Sequence, residues 1–268
     1  MTSGPAALTG AAVAMLVATA TALAAGTPAV APAVAPAGCR GTVYLTLDTG
    51  SMSQAELIAS ILQRHQVRAT FFLANEKTTA GDGSLDDGWR AYWQARAREG
   101  HAFGSHTYDH VYFRGVAPDG RLQVRPQFGA QAGQTLTWDG AAVCAELKRV
   151  DARFRQLTGK GLDPVWRAPG GKAPAQAMQA AQGCGFAHVH WAPAGFLGDE
   201  LPSDKYPNDR LLRQSLGSIR AGDILMAHLG IWSRKDPYAP TLDPLIEGLK
   251  ARGLCFATLR EHPDYRAL

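Results

Sequence analysis

Four polar segments of the sequence carry side chains that can take part in catalysis. They contain Asp48, the pair His106 and His110, Arg167, and His228. Two imidazoles four residues apart lie on one face of a helical turn, about 5–6 Å apart at Cβ, and can bind one metal ion. A bound metal ion polarises a carbonyl group, a carboxylate accepts a proton from water, and a separate imidazole protonates the leaving group. The residue types therefore predict metal-assisted hydrolysis.

Each of these residues also has an ordinary structural explanation. An Asp close to Gly, as at Asp48, is common in turns. Arg167 and His228 could be an ion-pair partner and a hydrogen-bonded core histidine. Position favours the catalytic interpretation, because all four segments lie at the predicted ends of strands.

Strands and helices alternate along the predicted fold. Residues 42–48 are β-branched, aromatic and aliphatic, which indicates a buried strand. The next helix is predicted to begin with a capping box of Ser53 and Glu56. Residues 67–74 form the next strand, and a strand–helix–strand crossover implies parallel pairing. Later predicted helices are residues 88–99, 139–158, 174–184, 209–219 and 242–253, and later predicted strands are residues 101–106, 163–169, 186–191, 223–229 and 254–259.

The repeated strand–helix units predict a single α/β domain built as a distorted (β/α) barrel. A doubly wound open sheet is the alternative, although no glycine-rich phosphate loop follows the first strand. Residues 111–138 show no clear period and are interpreted as an inserted loop or hairpin. Catalytic groups of such barrels lie at the C-terminal ends of the strands, where the four polar segments are predicted to converge.

The chain before residue 39 is predicted to lie outside this domain. Residues 1–26 are interpreted as a secretory signal peptide, because residues 8–25 are Ala-rich and apolar and end in small residues. They contain no Lys or Arg, so an uncleaved membrane anchor is the alternative. Residues 27–38 form a Pro/Ala linker, and residues 39–268 form the catalytic domain. We therefore expect an exported protein, periplasmic or extracellular, without stable membrane insertion once the signal is cleaved.

Charge and cysteine content restrict the partners and the compartment. The formal net charge is +4, and the Lys and Arg residues are scattered, so no nucleic-acid partner is predicted. The four cysteines permit two disulfides in three pairings in an oxidising compartment, and buried free thiols are the alternative. They are Cys39, Cys144, Cys184 and Cys255.

The polar segments resemble, in order, the motifs of the NodB-type polysaccharide deacetylases, carbohydrate esterase family four. The motif TFDDG is represented by TLDTG at residues 46–50, and H-[ST]-x-x-H by HTYDH at residues 106–110. The motif R-x-P-aromatic-G is represented by RAPGG at residues 167–171, and L-x-H by MAH at residues 226–228. The resemblance extends over roughly residues 42 to 260.

This resemblance implies a fold, an activity and a set of roles. The fold is a distorted (β/α) barrel with seven strands, and the activity is removal of acetyl groups from N-acetylated or O-acetylated sugars of cell-wall or extracellular polysaccharides. The resemblance implies that Asp48 is the general base, that His228 is the general acid and that Arg167 orients the base. It implies that His106 and His110 bind a divalent metal, usually zinc (Zn²⁺). The implied substrate-binding residues are Gly170, Trp191 and Met226.

Three positions depart from the family pattern. Thr49 stands where the family has its third metal ligand, an Asp. Gly170 stands where the family has an aromatic wall, although its N–H could still hold the oxyanion. The carboxylate that supports the Arg has no match near Trp191, and Asp199 and Asp204 are distant candidates.

The departure at Thr49 leaves the metal site and the function open. Asp48 or Asp109 could supply the missing ligand, or the metal could carry an extra water. Thr49→Asp is expected to raise metal affinity, unless a different third ligand is already in place. The alternative functions are a catalytically impaired carbohydrate-binding relative and a hydrolase of small non-peptide amides, with residues 76–90 and 111–138 as a lid.

Overall fold

The computed structural model describes residues 1–4 and 38–268. The predicted signal peptide and linker fall almost entirely outside the described residues, and their interpretation stays a prediction. Among the described residues, no helix has both the length and the apolar composition needed to cross a membrane.

In the part of the chain that the structure describes, seven parallel strands form one curled sheet, and three antiparallel strands form a second, smaller one. The strands are β1 (Gly41–Asp48), β2 (Thr70–Leu73), β3 (Ala102–Ser105), β4 (Tyr112–Val116), β5 (Leu122–Arg125), β6 (Leu136–Trp138), β7 (Val165–Trp166), β8 (Ala187–His188), β9 (Ile224–His228) and β10 (Leu254–Phe256). The large sheet runs in the order β10-β1-β2-β3-β7-β8, and β9 also pairs with β1. An isolated parallel bridge joins Phe196 to Met226 of β9. The predicted distorted barrel is confirmed.

Six α-helices accompany the strands within the described residues. They are α1 (Ala55–Arg64), α2 (Arg90–Arg98), α3 (Gly140–Thr158), α4 (Ala175–Gly183), α5 (Asn208–Ser218) and α6 (Leu242–Ala251). The predicted capping box at α1 is wrong, because the N-cap is Gln54 and the hydroxyl of Ser53 contacts that of Ser51, 3.1 Å away. At α3, by contrast, Asp139 caps the helix by accepting the N–H of Ala142.

Alternation along β1 sorts its side chains between the outer core and the barrel interior. Successive side chains of a strand point to opposite faces. Val43, Leu45 and Leu47 join the main hydrophobic cluster with residues of α1 and α6. Thr46 and Asp48 lie on the other face, and both are buried. The strand that carries the predicted base is therefore anchored by apolar packing on its opposite face.

Residues 111–138 are more ordered than the sequence suggests. They contain β4, β5 and β6, which pair antiparallel with a register shift between Phe113 and Gly115. Buried side chains of this small sheet, Phe113, Leu122 and Val124, form a second cluster with Val143 of α3. This sheet fixes the chain immediately after the predicted metal-binding motif.

Two disulfides connect the four cysteines. Cys39 is bonded to Cys255 of β10, with their Cα atoms 5.7 Å apart. Cys144 of α3 is bonded to Cys184, which follows α4, with their Cα atoms 6.0 Å apart. The structure thus selects one of the three possible pairings over the alternative of free thiols.

Candidate active site

Strand register places the predicted base and the predicted acid side by side. In the parallel pairing of β1 with β9, Asp48 is the register partner of His228. The chain then leaves β1 through Gly50, whose φ of 66° favours glycine. A Cβ atom on Gly50 would lie 2.3 Å from the carbonyl oxygen of Gly230, so a larger residue would separate the two strand ends.

Arg167 holds Asp48 in a buried ion pair. Its Nη1 donates to Asp48 Oδ1 at 2.8 Å and to Thr46 Oγ1 at 2.7 Å. Burial raises the pKa of Asp48, but its interactions with Arg167, His106 and His228 outweigh burial and lower it below its usual value. Asp48 is therefore an anion at neutral pH, with Oδ2 3.6 Å from Nε2 of His106.

Asp199 holds His228 in the same manner. Its Oδ2 accepts the backbone N–H of His228 at 2.7 Å and contacts Nδ1 at 3.1 Å. Burial lowers the pKa of His228, but the carboxylates of Asp199, Asp48 and Glu200 outweigh it and raise the pKa to about 10. His228 is therefore protonated at neutral pH, with Nε2 3.4 Å from Oε1 of Glu200. Asp199, which the sequence analysis considered for Arg167, supports His228 instead.

The two predicted metal-binding histidines meet through a turn that is not helical. Thr107 has a φ of 60° and His110 a φ of 47°, both in the left-handed region that non-glycine residues seldom adopt. The hydroxyl of Thr107 accepts the N–H of Val111 at 2.7 Å, which holds the turn. The rings of His106 and His110 lie 5.0 Å apart between centroids. Such backbone strain is concentrated at functional sites.

Hydrogen bonding leaves one ring nitrogen of His106 free to bind a metal ion. Nδ1 of His106 lies 3.0 Å from the carbonyl oxygen of Arg167, which can only accept, so Nδ1 carries the proton and Nε2 keeps its lone pair. Burial lowers the pKa of His106 to about 4, which keeps the imidazole neutral. Nδ1 of His110 is buried without a hydrogen-bond partner, and its Nε2 lies 3.9 Å from Oε2 of Glu76.

We call the space between Asp48, His106, His110 and His228 the cleft, and Glu76 is a further carboxylate beside it that was not among the sequence-predicted site residues. It follows β2, and its Oε1 accepts the hydroxyl of Thr49 at 2.6 Å and the N–H of Gly50 at 2.7 Å. Burial raises its pKa, but His110, His106 and these two hydrogen bonds outweigh burial and lower it. The available signal was its position three residues after a strand, the rule that singled out the other four segments. The second carboxylate considered, Asp109, is bound instead by Arg149 at 2.9 Å.

The donor types in this cleft fit a divalent metal such as zinc, which binds imidazole nitrogen and carboxylate oxygen. Ligands of one tetrahedral zinc lie about 3.4 Å apart, close to the 3.6 Å and 3.9 Å between each imidazole and its neighbouring carboxylate. One described cluster of three donors within 4.8 Å lies elsewhere, at His65, Asp243 and Glu247. There Arg64 already pairs with Asp243 at 2.8 Å, so we interpret that cluster as a surface ion-pair network.

The predicted substrate residues differ in their surroundings. Gly170 is exposed in a short turn, and a Cβ atom on it would lie 2.8 Å from Cε1 of Tyr112. The ring of Tyr112 thus fills space beside the position where the family carries its aromatic wall. Trp191 is partly exposed, with its ring 5.5 Å from the guanidinium carbon of Arg167. Met226 is 1% exposed and offers no open surface to a ligand.

Comparison with known proteins agrees with this geometry. Residues 36–189 match the family model described as polysaccharide deacetylase. The chain belongs to the polysaccharide deacetylase family. The deacetylases of this family act on the C–N amide bonds of acetylated sugars.

Known relatives of this deacetylase-family chain cover most of it. A chitooligosaccharide deacetylase from Azorhizobium caulinodans is 24% identical over 233 residues, which are 82% of this chain and 93% of the relative. A family 4 acetyl xylan esterase from Clostridium thermocellum, solved with a cobalt ion, has a TM-score of 0.63 at 18% identity over 85% of this chain and 92% of its own. A family 4 pseudoenzyme from Bacillus anthracis has a TM-score of 0.60 at 18% identity over 83% of this chain and 65% of its own. At these identities the solved structures show the shared fold.

Proposed function

We propose that this protein is a metal-dependent deacetylase that removes acetyl groups from N-acetylated or O-acetylated sugars of a polysaccharide outside the cytoplasm. The observation that carries the proposal is the pairing at the two adjacent strand ends. Asp48 is held by Arg167 at 2.8 Å, and its register partner His228 is held by Asp199 at 3.1 Å. A carboxylate held as an anion beside an imidazole held as a cation is the arrangement that general base and general acid require.

The hydrolytic steps use the free side of each held group. Asp48 accepts a proton from a water molecule, and the water oxygen attacks the acetyl carbonyl carbon. The backbone N–H of Gly170 stabilises the oxyanion that develops. His228 donates its Nε2 proton to the sugar nitrogen, or oxygen in an ester, as the bond to the acetyl carbon breaks, so acetate and the free amine or alcohol are released. A divalent metal, for which we propose Zn²⁺, would polarise the carbonyl and lower the pKa of the water when bound beside His106 and His110.

The disulfides support the proposed location outside the cytoplasm. Structural disulfides persist in oxidising compartments and are uncommon in the reducing cytosol. Both pairs connect separate elements of the domain, one between Cys39 and Cys255 and the other between Cys144 and Cys184. We therefore propose that the chain acts in the periplasm or outside the cell, where acetylated wall and matrix polysaccharides are found.

Acetate release tests the proposed activity. The full chain would be freed of metal with a chelator, reloaded with Zn²⁺ or Co²⁺, and incubated with chitooligosaccharides, acetylated xylan, peptidoglycan fragments and a small N-acetyl amine. We expect metal-dependent acetate release from at least one carbohydrate and its loss in Asp48→Asn. Binding of a carbohydrate without acetate release under every metal would favour the impaired relative. Turnover of the small amide alone would favour the small-amide hydrolase.

A further inference from the structure

The position that lacks the expected carboxylate is occupied by a hydroxyl that binds another carboxylate. Thr49 is fully buried at the end of β1. Its Oγ1 accepts the N–H of Ala74 at 3.2 Å and donates to Oε1 of Glu76 at 2.6 Å. The N–H of Gly50 donates to the same oxygen at 2.7 Å. One carboxylate oxygen of Glu76 is thereby fixed next to residue 49.

The other oxygen of Glu76 faces the histidine pair. Its Oε2 lies 3.9 Å from Nε2 of His110, too far for a hydrogen bond and near the separation of two ligands of one zinc ion. Glu76 is only 8% exposed, although burying a carboxylate is costly unless charge or hydrogen bonds compensate. Its charge has no Lys or Arg partner among the salt bridges of the described residues.

The two carboxylates considered from the sequence are already engaged. Asp109 is bound by Arg149 at 2.9 Å, and its backbone N–H donates to Glu146. Asp48 has one oxygen on Arg167, which leaves it the single oxygen that a general base needs. Glu76 is therefore the carboxylate in this cleft whose free oxygen faces an imidazole and has no other duty in the reaction.

We propose that Glu76 is the third protein ligand of the divalent metal, and that Thr49 is a positioning residue that orients its carboxylate. The proposal rests on the metal-dependent function proposed above and identifies which residues hold the metal. In the family the third ligand lies at the end of β1, whereas in this chain the proposed ligand lies in the segment that follows the adjacent β2. Thr49, where the family has the ligand, now supplies a hydrogen bond to it.

Metal binding by Glu76→Gln tests this assignment without reference to activity. The full chain and its variants would be stripped of metal and titrated with Zn²⁺ and Co²⁺, with Co²⁺ absorption reporting changes in ligation. Loss of a partner around a metal ligand already costs about 10–100-fold in affinity, so we expect at least about a 100-fold loss on removal of a ligand. Glu200→Gln is the matched control, because it removes a carboxylate that contacts His228 rather than His110. It should keep affinity within about threefold.

An exchange variant separates ligation from folding. Thr49→Asp alone would place a second carboxylate beside Glu76 and should not raise affinity, because like charges at this distance repel. In the double variant Thr49→Asp with Glu76→Gln, the carboxylate returns to the β1 position. We expect it to recover at least about tenfold in affinity over Glu76→Gln alone. Thermal unfolding of the metal-free variants checks that each is folded.

The outcomes distinguish this assignment from the proposed function. If the wild-type chain binds metal and releases acetate while Glu76→Gln binds metal equally well, Glu76 is not a ligand and the deacetylase proposal stands. If Glu76→Gln loses affinity but the double variant recovers none, the loss is structural and the assignment is overturned. If the wild-type chain binds neither Zn²⁺ nor Co²⁺, both proposals fail.

Discussion

Arg167 and Asp199 act on the cleft through the groups that they hold. Arg167 donates to Asp48 at 2.8 Å and, through its carbonyl oxygen, fixes Nδ1 of His106 at 3.0 Å. Asp199 fixes His228 by its backbone and by its ring. Because each reactive group has one side occupied, the other side is the one available for water, metal or leaving group. Substitution of Arg167 or Asp199 should therefore change the pKa of Asp48 or of His228 more than it changes substrate affinity.

Asp199→Asn should lower the pKa of His228. The pKa is raised to about 10 in the protein mainly because the carboxylates of Asp199, Asp48 and Glu200 outweigh burial. A general acid is active when protonated, so activity is lost as pH rises through this pKa. Loss of one adjacent carboxylate should move the alkaline limb of kcat/KM downward by about 1–3 pH units. Glu200→Gln, which removes a more exposed charge, should give a smaller shift, and an alkaline limb at the wild-type pH in Asp199→Asn would contradict the assigned role.

Tyr112→Ala should weaken binding of oligosaccharides. The ring of Tyr112 lies beside Gly170 and 5.3 Å from the ring of His110, which places it at the edge of the cleft. Loss of an aromatic contact of about 1 kcal/mol corresponds to roughly a fivefold rise in KM. Tyr112→Phe keeps the ring and should keep KM. Equal losses in Tyr112→Phe and Tyr112→Ala, or no change in either, would exclude a stacking role.

At the scale of elements, the ends of the parallel strands determine which residues meet. Asp48 and His228 could be predicted to approach, because both end apolar runs typical of buried parallel strands. The contacts of Glu76 and Asp199 could not be predicted, because both residues lie in irregular chain beyond the strands. Glu76 contacts Thr49, and Asp199 contacts His228, only because β1 pairs with β2 and with β9.

For the antiparallel sheet after His110, the sequence left a loop and a hairpin as alternatives and did not predict three strands, for a related reason. Its strands are short, and its central one, β5, alternates buried and exposed residues over four positions. Gly and Pro between the strands hide so short a period in the sequence. The left-handed backbone at Thr107 also has no sequence signal, because β-branched residues seldom adopt that region.

His101, which immediately precedes β3, should make stability depend on pH. Its Nδ1 accepts the N–H of Ala69 at 3.0 Å, and its Nε2 lies 3.3 Å from Glu99. Burial, partly offset by Glu99, lowers its pKa to about 4 from 6.5. The unfolded chain therefore binds more protons between these values, so stability is complete above about pH 6.5 and is lost as pH falls toward 4.

Chemical unfolding between pH 4 and pH 7.5 measures this effect. At about 1.4 kcal/mol per pKa unit, the shift corresponds to at most about 3 kcal/mol. His101→Gln offers an acceptor and a donor without a titrating ring, so the difference from wild type should shrink as pH falls. A constant difference at every pH would show that His101 is not the titrating group.

At the scale of the whole molecule, the barrel was predictable because its helices and strands repeat with distinct periods. The pairing of the cysteines was not, because four cysteines allow three pairings and spacing does not choose among them. The choice follows from the topology, since β10 pairs with the start of β1 and α3 packs against α4. Each disulfide joins elements that already lie together.

Removal of the disulfides should lower the free energy of unfolding. The Cys39–Cys255 pair spans 216 residues and the Cys144–Cys184 pair spans 40. Chain-entropy estimates give about 5 and about 4 kcal/mol for loops of these lengths, and measured effects are commonly 2–4 kcal/mol. Paired Cys→Ser variants, unfolded in denaturant, measure each contribution. Zn²⁺ affinity serves as the control and should be unchanged, because neither pair contacts the cleft.

The two ends of β1 lie at opposite ends of the barrel. Gly41 pairs with Leu254 beside the Cys39–Cys255 disulfide, whereas Asp48 lies at the other end of the same strand. An extended strand of this length separates the two ends by about 23 Å. Cys39, next to Gly41, therefore lies at the end of β1 that is remote from Asp48. The catalytic residues and the disulfide that closes the N-terminal end of the domain therefore lie at opposite ends of one strand, so a change at Cys39 or Cys255 is remote from the proposed chemistry.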